Sequence, residues 1–149
     1  MLFRSRVLRV NPLSWTAWCN LGVIEMGRFK YDSASYFLQI AYALNFYNSL
    51  INLNLGICYF RLGMPDESEA YLLQSLKYDS TVIDGLLVLS DLYRDSRQEA
   101  KYVKTFGQIA SHPDAPAKYV IGWIELLLRE AKYSEASTKI GRASCRERV

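Results

Sequence analysis

The sequence predicts an all-α solenoid of antiparallel helix pairs, and three observations carry that expectation. The chain repeats itself without gaps at an offset of 34 residues. Apolar residues recur at spacings of three and four, as in Trp18, Leu21 and Val23 or Ile24, then Tyr36, Phe37, Ile40 and Leu44, which is the pattern of amphipathic helices. Only four prolines and eight glycines punctuate the chain, and half of it is hydrophobic, so long stretches are free to be helical and have a core to bury.

Several columns agree on the period. Leu21-Gly22 aligns with Leu55-Gly56 and with Leu89-Ser90, Asn20 with Asn54, and Ala34 with Ser68 and later Ala136. Leu38, Leu72 and Phe106 share another column, as do Ala41 and Ser75. Neither helix of a pair can bury its apolar stripe alone. A small residue after the leucine lets the paired backbone come close, Ala34, Ser68 and Ala136 answer it from the other side, and Trp18, Tyr59, Tyr93, Leu38, Leu72 and Phe106 fill the gaps.

These columns resemble the tetratricopeptide repeat. The first copy carries Trp18-x-x-Leu21-Gly22 with Ala34-x-x-x-Leu38, and the second carries Leu55-Gly56-x-x-Tyr59 with Gly63, Ser68 and Leu72. The third keeps Leu89-Ser90-x-x-Tyr93 and Phe106 but has Tyr102 where a small residue is expected. The fourth retains Leu127, Tyr133 and Ala136, with Trp123 in place of the leucine and Ile124 in place of the small residue. The resemblance implies a right-handed solenoid with repeats at 15–48, 49–82, 83–116 (degenerate) and 117–139 (partial), preceded by the end of a truncated repeat at 1–14. Asn11-Pro12 falls where the family closes a repeat, so residues 2–10 are expected to end a second helix.

Local signals mark the helix ends. Gly63-Met64-Pro65 ends one helix and starts the next, with Asp66, Glu67 and Glu69 near a positive N-terminal dipole. Ser96-Arg97-Gln98-Glu99 has the spacing of a capping box and predicts a helix start. His112-Pro113-Asp114-Ala115-Pro116 breaks the chain between the third and fourth repeats.

Residues 140–149 change the composition abruptly and carry no helical apolar pattern. The nucleotide string ATCGGAAGAGCGTCGTGTAGGGAAAGAGTG, which looks like a common short-read sequencing adapter, translates codon by codon into them. They are read as an artefact foreign to the fold, and the natural chain is expected to have continued past Lys139. Without Arg142, Arg146, Arg148 and Glu147 the formal net charge falls from +3 to +1, so the basic balance says nothing about partners.

The sequence offers little chemistry. His112 lies beside Pro113 in a predicted turn, Cys19 and Cys58 sit among apolar neighbours on predicted helices, and Asp66-Glu67-x-Glu69 already has a dipole reason for its charge. No catalytic residue, cofactor site or metal site is expected. No apolar run reaches the roughly 20 residues of a membrane span, since residues 119–128 are short and include Glu125. The cysteines have no framework spacing, and the expected setting is the cytoplasm.

The resemblance implies that a protein or peptide ligand is held in a concave groove formed by the first helix of each repeat. The residues placed there are Cys19, Asn20, Val23, Leu50, Leu53, Asn54, Ile57, Phe60, Leu87 and Asp91. This strip, apolar over the first two repeats, is either a binding surface or a face covered by a neighbouring helix. Asn20 and Asn54 also resemble an asparagine ladder that holds peptide backbone, broken after two rungs by Val88 and Gly122.

Family members that clamp a chaperone's carboxylate tail use a lysine-asparagine, asparagine, lysine-arginine set over three groove helices. The aligned positions here are Cys19 and Val23, Asn54, then Asp84 and Val88, of which only Asn54 matches. One repeat later only Lys118 matches, so no carboxylate clamp is expected. Two further classes remain: an RNA-binding helical repeat, disfavoured by a groove without basic charge, and the regulatory or substrate-recruiting arm of a larger enzyme.

Overall fold

The computed structural model describes residues 13–146, with side-chain surroundings for residues 13–132. The expected repeat end at 1–14 lies almost entirely outside them. Seven helices and no strand are found among the described residues: α1 (Trp15–Met26), α2 (Tyr31–Leu44), α3 (Ser49–Arg61), α4 (Pro65–Tyr78), α5 (Ile83–Asp95), α6 (Glu99–Ala110) and α7 (Ala117–Arg146). They divide into two compact units, the first ending at Thr105 and the second beginning at Phe106.

In the first unit the helices start where short polar side chains satisfy free backbone donors. Ser14 Oγ accepts the Ala17 N–H at 3.3 Å ahead of α1, and Asn48 Oδ1 accepts the Ile51 N–H at 3.0 Å ahead of α3. Buried Asn52 pins the α2–α3 turn from below, its Nδ2 donating to Phe46 O at 2.9 Å and Asn48 O at 2.8 Å. Pro65 opens α4 at its first position, followed by Asp66 and Glu67, as the sequence predicts.

The turn inside each helix pair is the same three times over. Phe29, Gly63 and Arg97 have φ of 59°, 73° and 57°, and they stand one period apart. Each closes the preceding helix with a long return bond from the next residue: Lys30 N–H to Glu25 O at 3.0 Å, Met64 N–H to Tyr59 O at 2.9 Å, and Gln98 N–H to Tyr93 O at 2.8 Å. This left-handed residue explains why the Ser96-to-Glu99 spacing does not produce a capping box. Ser96 caps the helix behind it instead, with Oγ donating to Leu92 O at 2.7 Å.

Helix pairs close on small residues. A Cβ on Gly22 would lie 2.5 Å from Leu38 Cγ, and one on Gly56 would lie 2.6 Å from Leu72 Cγ, so neither position has room for a side chain. Ser68 Oγ donates to Gly56 O at 2.9 Å and Ser75 Oγ to Ser49 O at 2.8 Å, which satisfies two buried hydroxyls across the α3–α4 contact. One core joins Cys19, Ala34, Leu38, Ala41, Ile51, Leu55, Cys58 and Tyr59. A second joins Leu53, Leu72, Leu89, Leu92 and Tyr93, with Tyr102 packed against it. The α1–α2 and α3–α4 pairs stack through α1–α3 and α2–α3 contacts, and α5 packs on both α3 and α4.

In the second unit the end of α6 meets the start of α7 through aromatic rings. Phe106 packs on Tyr119 and Trp123 at centroid distances of 5.3 and 6.2 Å, and Gly107 faces the Trp123 ring. The predicted breaker holds, since α6 ends at Ala110 and α7 begins at Ala117. From there α7 differs from the pattern. It runs on through Ala131, the position equivalent to Phe29, Gly63 and Arg97, and stays helical to Arg146. Among the described residues no second helix folds back on it, and Ile121, Ile124, Leu127 and Leu128 are left exposed. The helix enters the segment set apart by its composition because Arg142, Ala143 and Arg146 are good helix formers that need no apolar stripe.

Candidate functional site

The first helices of successive repeats, α1, α3 and α5, carry the residues that the sequence places in a groove, and the structure sorts them into three kinds. Asn20, Val23 (44% exposed) and Leu50 (52% exposed) are open to solvent. Ile57, Phe60, Leu87 and Asp91 are partly covered. Cys19, Leu53 and Asn54 are buried.

The burial has a plain cause: each first helix turns one flank towards the next. Cys19 packs among α3 residues, while Leu53, Ile57 and Phe60 lie in or against the cluster that contains Leu89 and Leu92 of α5. Part of the apolar strip is therefore used up between repeats. What remains open is Asn20 and Val23 on α1 and Leu50 on α3, with Ile57, Phe60 and Leu87 partly accessible.

The two asparagines are not equivalent. Asn20 is exposed, whereas Asn54 is only 8% exposed and its Nδ2 has no hydrogen-bond partner among the described residues. It leans on the Cys19 thiol without a fully formed bond. Burial pushes that thiol's pKa up, and the amide offsets this only in part. Burial raises the Cys58 thiol to about 12. Both sulfurs are protonated at neutral pH and enclosed, which makes them poor nucleophiles.

Charge in the strip is paired locally. Asp91 meets Arg94 at 2.8 Å, and Arg94 Nε is 3.5 Å from Asp95. His112 lies in the α6–α7 turn, where its Nδ1 accepts the Asp114 N–H at 3.1 Å. Among the described residues no cluster of three histidine, cysteine or acidic side chains could hold a metal ion, and no helix is long and apolar enough to cross a membrane.

Sequence reasoning missed one feature, a cavity of about 380 Å³ lined by Phe60, Gly63, Pro65, Leu92, Asp95 and Ser96. The one available signal was the Gly63-Met64-Pro65 turn. Nothing in the period shows that the end of α5 reaches it.

No protein-family model and no curated protein matches this sequence. Solved structures do match in fold. MamA superposes with a TM-score of 0.72 at 15% identity, covering 89% of this chain and 87% of MamA. A thermophilic TPR protein of Thermus thermophilus superposes with a TM-score of 0.66 at 18% identity, covering 84% of this chain and 70% of that one. With the repeated left-handed turn and the glycine-mediated helix pairs, these likenesses give the chain the all-α, solenoid fold of the tetratricopeptide-repeat type.

Proposed function

We propose that the chain is a protein-interaction scaffold that holds an apolar peptide or an amphipathic helix along the first helices of its repeats. The observation that carries this reading is the exposure of two uncharged side chains on successive first helices, Val23 at 44% and Leu50 at 52%. A bound helix draws its affinity from a few apolar anchors of this kind. Asn20, exposed on α1, can both donate to and accept from a ligand's polar groups. No catalytic role, cofactor or nucleic-acid partner is part of this reading.

The test is a peptide array probed with residues 1–139 and with the Val23→Asp and Leu50→Asp variants. Both positions are exposed, so the fold should survive the added charge. Loss of binding to apolar helical peptides in both variants, with little dependence on salt, supports the reading. Binding that is indifferent to both substitutions overturns it.

A further inference from the structure

The cavity beside the α3–α4 turn has a local origin. Gly63 stands at φ 73°, and a Cβ placed there would meet no atom within 4 Å, so the absent side chain leaves open space at the wall. Phe60, Pro65 and Leu92 make the other walls apolar, and Asp95 and Ser96 add polar groups. Ser96 is already spent, its hydroxyl donating to Leu92 O at 2.7 Å and accepting from Gln98 Nε2 at 3.1 Å. Asp95 is engaged more loosely, 3.5 Å from Arg94 Nε, while the same guanidinium holds Asp91 at 2.8 Å.

The sign of the ligand's charge follows from the side chains that meet there. Both α3 and α5 end beside the cavity, and Arg61 and Arg94 in their last turns answer the partial negative charge of those C-termini. The N-terminus of α4 also begins there, and Asp66 and Glu67 answer its positive end. The charge that the lining itself presents is the Asp95 carboxylate, which favours a cation.

We propose that this cavity receives one arginine side chain of a bound peptide, its aliphatic stem against Phe60, Pro65 and Leu92 and its guanidinium on Asp95. This rests on the reading of the chain as a peptide-binding scaffold and names one anchor of the ligand. A planar guanidinium can place two N–H groups on a carboxylate while its stem covers apolar surface.

The test is an amide-shift NMR titration of the protein with N-acetylarginine N-methylamide. Controls are the norleucine analogue, which keeps the stem and lacks the charge, and the glutamate analogue. Shifts centred on Gly63, Leu92 and Ser96 are expected with the arginine probe. Binding should be about tenfold weaker for the norleucine probe and for the arginine probe on Asp95→Asn, and absent for the glutamate probe. Asp95 is exposed, and an unchanged spectrum elsewhere shows that the variant is folded. Equal affinity of the arginine and norleucine probes, an unaffected Asp95→Asn variant, or shifts centred elsewhere each overturns the proposal. A failed titration alongside an array response that Leu50→Asp abolishes removes only this anchor. An array indifferent to both Val23→Asp and Leu50→Asp removes the wider reading instead.

Discussion

Glu69 on α4 accepts a hydrogen bond from the Tyr93 hydroxyl on α5 at 2.9 Å, and the same oxygen receives Lys101 Nζ of α6 at 2.7 Å. Three consecutive helices are thus tied at one carboxylate. Lys101 also lies 5.1 Å from the centre of the Tyr93 ring, which places its charge over the aromatic face.

That carboxylate gives a pH signature. Partial burial alone would raise the Glu69 pKa, but the hydrogen bonds from Lys101 and Tyr93 and the lysine's charge outweigh it and hold the group below its ordinary value. A pKa depressed on folding contributes stability that is present above the unfolded value and lost as pH falls through the folded one. Glu69→Gln should therefore cost about 1 to 2 kcal/mol in urea melts at pH 7. The gap to the parent should close as pH drops below the ordinary carboxylate range. A gap that persists at low pH would mean that the loss is one of packing.

The left-handed turns predict a reversal of sign. A side chain at positive φ costs about 1 to 2 kcal/mol, and glycine there forfeits about 0.5 to 1 kcal/mol in backbone entropy. Phe29→Gly and Arg97→Gly should therefore each stabilise by about 0.5 to 1 kcal/mol, since both side chains are exposed. Gly63→Ala should destabilise by a similar amount. Urea midpoints that move in one direction at all three positions would show that these residues do not share a turn.

The helix register is tested in the core. Leu55 is fully buried, and Leu55→Ala should cost about 2 to 5 kcal/mol. Lys77 is exposed on α4, and Lys77→Ala should stay within about 0.5 kcal/mol. Gly22→Ala forces a methyl against Leu38 and should cost about 1 to 3 kcal/mol, although alanine is the better helix former. Equal urea midpoints for Leu55→Ala and Lys77→Ala would mean that the register is wrong.

Deleting residues 140–149 should leave the melting midpoint unchanged, because those residues are read as foreign to the fold. Helical ellipticity should fall by no more than the share of α7 that is removed. A lower midpoint would show that the segment packs on the rest of the chain.

How much of this was legible follows the reach of each signal. The period, the glycines at 22 and 56, Pro65 and the breaker at 112–116 act through their own backbone or one close neighbour, and the structure has them where the sequence puts them. The left-handed turns at Phe29 and Arg97 were not legible, because only Gly63 has the residue type that advertises such a turn. The helix start that the Ser96-to-Glu99 spacing predicts is found at Glu99, but Ser96 Oγ turns back to α5, because capping spacing does not say which way a hydroxyl points. The accessibility of the groove positions depended on a longer distance still. Cys19 and Leu53 occupy groove positions by register, yet contacts between first helices of adjacent repeats enclose them. The continuous α7 has no breaker near Ala131 to announce either outcome.

The position of α3 has a consequence for how the first unit comes apart. It touches α1, α2, α4 and α5, and Ile51, Asn52, Leu55 and Cys58 along it are sealed from solvent. Stability in such a stack is a sum of each pair's own contribution and its couplings to the pairs on either side. Among the described residues α3 is packed by four helices and α1 by two. Hydrogen exchange should therefore be graded along the chain, with α3 reporting the largest opening free energy of the unit and α1 a smaller one. The first unit should then come apart as linked cooperative segments, starting where the couplings are weakest.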